Sequence, residues 1–137
     1  MGKRLWVERN KDGSWDAFSE DGAHIKFGKG RGQFTPGDLL KVSLAACGAL
    51  SSRFAIESVL GEGAGAHIVV DGKYDDDDDA YLSFDEQLTV DATDAGLSDA
   101  DADKLKERII RHIDKSCTVK HSLEREEPVR LNVTVRH

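Results

Sequence analysis

"FTPGDLLKVSLAACGALSSRFAIESVL", residues 34 to 60, is the stretch around which the rest of the chain has to be arranged. Thr35 is suited to accept an orphan N–H at a helix N-cap, Pro36 fits the first helical position, and Asp38 complements the positive end of the dipole. No further proline follows from Leu39 to Leu60, and Lys41 is the only charge in the first half. Gly61-Glu62-Gly63 then stops the run. A helix apolar on nearly all sides is expected to be buried.

On its N-terminal side, Asp12-Gly13 and Asp21-Gly22 are turn signals that supply the positive φ of tight hairpins. They divide residues 3 to 9, 14 to 19 and 23 to 28 into a three-stranded meander, followed by the glycine-rich loop "GKGRGQ" with Lys29 and Arg31. Downstream, "AHIVVDGKY" and "YLSFDEQLTVDAT" read as two strands joined by the charged loop Asp75 to Asp79. Ser98 and Asp101 form a capping-box pattern, and Leu105, Ile109, Ile110 and Ile113 recur at helical spacing, which predicts a second helix over about 99 to 115. "SCTVKHSL" reads as a turn or short helix, and "PVRLNVTVRH" closes the chain as an alternating strand. The order βββ-α-ββ-α-β, without internal repeat or linker, predicts one α+β domain over 1–137, with antiparallel sheet packed on the long helix.

The chain has 137 residues and a net charge of −7, which disfavours nucleic acid and anionic membrane as partners. No apolar stretch approaches bilayer length and the N-terminus lacks the apolar region of a signal peptide, so no membrane association and a cytoplasmic location are expected. Two isolated cysteines in a reducing compartment are either inert core residues or redox groups.

Cys47 lies mid-helix on a stripe with Ser43 and Ser51, which suits either packing or chemistry. Cys117 is flanked by Lys120 and His121, and if a short helix starts there, dipole and cations favour its thiolate. Neither segment decides alone between buried hydrophobe and reactive thiol. The five histidines show no metal-ligand spacing, and the aspartate run lacks the alternation of a calcium loop, so no metal and no bound cofactor are expected.

Together, "FTPGDLLKVSLAACGALSS" and "CTVKHSL" resemble the two cysteine segments of the OsmC/Ohr family of peroxide-handling proteins, and element order and the seventy-residue cysteine spacing agree. The resemblance implies an intertwined homodimer built on central helices. It also implies a thiol-dependent peroxidase for small organic hydroperoxides, with Cys47 as the peroxidatic and Cys117 as the resolving cysteine, regenerated by an external dithiol reductant. In that family an arginine held by a glutamate activates the first thiol. Here Gly37 stands at the glutamate position, which makes the adjacent Asp38 the candidate acid and Arg31 the favoured arginine, with Arg53, Arg4 and Arg9 behind it. The alternative expectation is a non-catalytic module of the same fold that binds an apolar small molecule.

Overall fold

The computed structural model describes residues 2–136. It comprises two compact units: residues 2–43 with Gly72–Phe84, and Leu44–Asp71 with residues 85–136.

The first unit holds strands β1 (Leu5–Arg9), β2 (Trp15–Ser19) and β3 (His24–Phe27), an antiparallel sheet in the order β1-β2-β3. Val7 pairs with Ala17 and Ala17 with Ile25, so the apolar alternation of three strands shares one face. On the other face Trp6, Phe18 and His24 stack in a row, with ring centroids 5.7 and 4.9 Å apart. The two Asp-Gly turns behave as expected, with Gly13 and Gly22 at φ of 89° and 94°. Helix α1 (Pro36–Leu60) opens with a reciprocal cap. The N–H of Asp38 donates to Thr35 Oγ1 at 3.1 Å, and the N–H of Thr35 donates to the Asp38 carboxylate at 2.9 Å. Tyr81 occupies the space vacated by two glycines: a β carbon on Gly37 would stand 2.9 Å from its hydroxyl oxygen, and one on Gly72 2.7 Å from its ring. Tyr74, Phe84 and the Lys41 ammonium surround the same ring.

In the second unit, α1 buries one stripe, Leu44, Gly48, Ser52, Ala55 and Ile56, at the i, i+4 spacing of a helix face. Its small residues let neighbours approach closely, and Ser52 satisfies its hydroxyl by donating to the Gly48 carbonyl at 2.9 Å. Strands β4 (His67–Asp75) and β5 (Ala80–Thr89) pair with each other, each belonging in part to both units, and α2 (Asp99–Ser116) of the second unit is amphipathic. Ser98 caps α2 by accepting the N–H of Asp101. Ala55 and Ile56 of α1 pack on Leu105 and Ile109 of α2, with Leu88, Val90, Leu97 and Ile113 at the margin. The short helix α3 (Thr118–Leu123) follows at once.

Three expectations are corrected. Residues 128–136 form no strand: Val129, Leu131, Val133 and Val135 are between 75% and 95% exposed, because an alternating segment becomes a strand only against an edge that accepts its hydrogen bonds. His137 lies outside the described residues. The observed order is therefore βββ-α-ββ-α-α, although the α+β class with antiparallel sheets stands. Helix α1 is buried along one stripe only, with Leu50 and Phe54 open on the other side. It is also long and apolar enough, by length and composition alone, to cross a membrane, a property shared by core helices of this kind.

Ile56 is fully buried at the α1–α2 contact. Ile56→Ala is expected to cost about 2–5 kcal/mol in denaturant unfolding, the range for truncating a well-packed core side chain.

Candidate functional site: a thiol pair at a helix junction

The site is assembled by a change of direction in the backbone. Cys117 is at once the C-cap of α2, its N–H bonded to the Ile113 carbonyl, and the N-cap of α3, its carbonyl accepting the N–H of His121 at 3.0 Å. Its backbone is extended there, φ −81° and ψ 95°, which breaks the helix and starts another. The first N–H groups of a new helix have no partner within it. Those of Thr118 and Val119 turn to the sulfur of Cys47.

Cys47 is half-buried on α1 and Cys117 is fully buried, and both are free thiols. Burial pushes the Cys47 thiol up, but hydrogen bonds from the Val119 N–H, the Cys117 thiol and the Thr118 N–H outweigh it and bring it below the ordinary thiol value. The Ser51 hydroxyl contributes least, and it donates to the Cys47 carbonyl at 2.7 Å. Cys117 moves the opposite way. Burial raises it first, and the charges of Cys47 and Glu86 add to that, against the Lys120 N–H. The pair is thus polarised: ionisation is favoured at Cys47 and opposed at Cys117, whose S–H donates to the Cys47 sulfur.

This reverses the expected roles of helix end and cations. The dipole end of α3 serves Cys47 across the gap and not Cys117 beside it. Lys120 is engaged by Asp114 at 3.3 Å and Glu124 at 3.2 Å, and the His121 ring lies on the Asp114 carbonyl. The strongest groups that lower Cys47 are neutral donors.

The other predicted residues have local positions of their own. Arg31 and Asp38 belong to the first unit, where Arg31 is exposed without an ion pair among the described residues and Asp38 spends its carboxylate on the helix cap. Arg53 lies over Phe54 and 3.8 Å from Glu57, while Arg4 and Arg9 lie over Trp6 and Trp15. Among the described residues no three His, Cys, Asp or Glu side chains converge on a metal-sized space.

Sequence reasoning passed over Glu86. On β5 it shares the face of Leu88 and Val90, a carboxylate in an apolar register, and that interruption was the signal available. Its Oε1 stands 3.6 Å from where a β carbon on Gly48 would be, beside Ile68 and Ile113. Glu86 is exposed as a residue, and partial desolvation of its carboxylate raises its pKa, opposed by the charge of Lys120. Glu86 also lines a cavity of about 430 Å³ between β5 and α2, whose walls include Leu88, Val90, Leu105 and Ile109, with Lys106 at the edge.

An α+β chain with a paired thiol at a helix junction defines a class, and comparison with known proteins gives it a family. Residues 28–132 match the family described as OsmC-like protein. The chain is 33% identical over 132 residues to uncharacterized proteins of Mycobacterium tuberculosis and Mycobacterium bovis, covering 95% of this chain and 95% of each relative. It belongs to the OsmC-like family. Among solved structures, an OsmC-like protein from Mycoplasma pneumoniae is similar with a TM-score of 0.69 and 17% identity over 90% of this chain and 88% of that one. The organic hydroperoxide resistance protein OhrB of Bacillus subtilis is similar with a TM-score of 0.54 and 17% identity over 89% and 90%.

The thiol geometry predicts unequal reactivity. Followed by mass spectrometry, iodoacetamide should label Cys47 with an apparent pKa below the ordinary thiol value and leave Cys117 slower, and Cys117→Ala should move the Cys47 value upward.

Proposed function

We propose that this protein is a thiol-dependent peroxidase reducing small organic hydroperoxides. The observation that carries the reading is the hydrogen-bonded pair in which the Cys47 pKa is lowered and that of Cys117 raised. Peroxide reduction needs a thiolate and a second thiol close in space. Membership of the OsmC-like family and the likeness in fold to OhrB support it.

The Cys47 thiolate attacks the distal oxygen of the hydroperoxide. The O–O bond breaks, the alkoxide takes a proton and leaves as the alcohol, and Cys47 becomes a sulfenic acid. Cys117 then loses its proton and its sulfur attacks that of Cys47, forming the disulfide as hydroxide departs with a proton as water. An external dithiol restores both thiols by exchange. In this reading the cytoplasm supplies that reductant, and the arginine and acid that the family resemblance implies are assigned to Arg31 and Asp38, in addition to the backbone N–H groups that act on Cys47.

The working form is a homodimer. Leu50 and Phe54 lie 69% and 65% exposed on the uncovered side of α1, and the four apolar side chains of 128–136 alternate along an unpaired segment. A second copy offers both a helix face and a sheet edge. Leu50→Glu is accordingly expected to shift the protein from dimer to monomer in sedimentation velocity runs.

The second reading, a non-catalytic binder of an apolar small molecule, is favoured by the 430 Å³ cavity. Cumene hydroperoxide separates the two. Reduced protein should lose two hydrogens in mass, a loss absent in Cys47→Ser and replaced by a sulfenate in Cys117→Ser. Thiols that persist under excess peroxide would leave the binding reading.

A further inference from the structure

The closing step of the proposed reaction has an unassigned participant. Cys117 is fully buried, and its proton must leave before the sulfur can attack. We propose that Glu86 is the acceptor of that proton, a reading that rests on the thiol reaction above.

The placement of Glu86 follows from a side chain that is missing. Gly48 directly follows Cys47 and lies on the buried stripe of α1. Because it has no β carbon, the Glu86 carboxylate approaches the helix to ordinary contact distance, with Oε1 3.6 Å from the vacant position. The carboxylate therefore lies against the helical turn that carries Cys47, and its charge reaches Cys117. Among the described residues Glu86 makes no ion pair. The cation whose charge reaches it, Lys120, is already held by Asp114 and Glu124, and Lys106 is the lysine among the residues lining the same cavity.

A carboxylate in that position does two things in sequence. While both thiols are reduced, its negative charge opposes ionisation of Cys117, so the proton stays on that sulfur and remains available to Cys47. Once Cys47 is a sulfenic acid, the S–H bond of Cys117 breaks, the proton passes to Glu86, and the sulfur's electron pair forms the S–S bond. Hydroxide leaves Cys47 and takes the proton back as water, so Glu86 ends ionised. A base works best with a pKa near the working pH, and partial desolvation moves Glu86 in that direction.

The test compares wild type, Glu86→Gln and Glu86→Asp in the full chain, with cumene hydroperoxide and, separately, oxidised glutathione. The glutathione arm forms a mixed disulfide on Cys47, which Cys117 resolves by the same proton loss. Sulfenate or mixed disulfide, and its conversion to the Cys47–Cys117 disulfide, are followed by quenched mass spectrometry across pH. The expected result for Glu86→Gln is a first step within about twofold of wild type and closure slowed roughly tenfold to a hundredfold, with the intermediate accumulating. Wild-type closure should rise with pH as Glu86 ionises, Glu86→Gln should lose that rise, and Glu86→Asp should restore part of it. Closure unchanged in Glu86→Gln, or slowed with the wild-type pH profile intact, would overturn the assignment. If peroxide leaves wild-type thiols untouched, the peroxidase reading fails by itself, and the glutathione arm still decides the role of Glu86.

Discussion

The hydrogen bond between the two thiols depends on one residue that belongs to two helices. Cys117 ends α2 and begins α3, and the core contact of α2 with α1 holds that junction in place. Packing of Leu105 and Ile109 on Ala55 and Ile56 sets the height of α2 along α1, and this in turn decides that the start of α3 arrives at Cys47. Small residues on α1 are part of the same constraint. Gly48 and Ser52 on the buried stripe keep the neighbours near enough for a sulfur to be reached by backbone N–H groups.

Backbone donors have a property that a cation lacks. A lysine or arginine stabilises an anion over several ångströms and swings on a flexible stem, whereas an N–H at a helix start is fixed by the fold and acts only in line with its bond. Preference for the thiolate at Cys47 is therefore tied to the register of α3, and it passes to the sulfur only while the Cys117 junction keeps its extended backbone. The lysine and histidine in this segment brace the junction through Asp114 and Glu124, contacts within the α2–α3 corner.

Much of this was legible in the sequence. The Asp-Gly turns, the Thr35-Pro36 start, the Ser98 cap and the spacing of Leu105 and Ile109 are local signals, and each element they predict is present. The alternation in 128–136 is equally clear as a pattern, but pattern does not supply a neighbouring edge. At the site, the two cysteines could be paired through resemblance. The groups that act on them could not, because two are main-chain N–H groups that carry no residue-type signature. The third, Glu86, is marked only by standing where an apolar side chain belongs.

Tyr81 ties the absence of a side chain at position 37 to its absence at position 72. Its ring is seated against Gly37 and Gly72 beside Tyr74, Phe84 and Lys41, so a side chain added at 37 meets the phenol hydroxyl and one added at 72 meets the ring. A glutamate at 37 requires the phenol end to shift and a side chain at 72 requires the ring itself to move, so the three positions are coupled and substitutions at them are not additive.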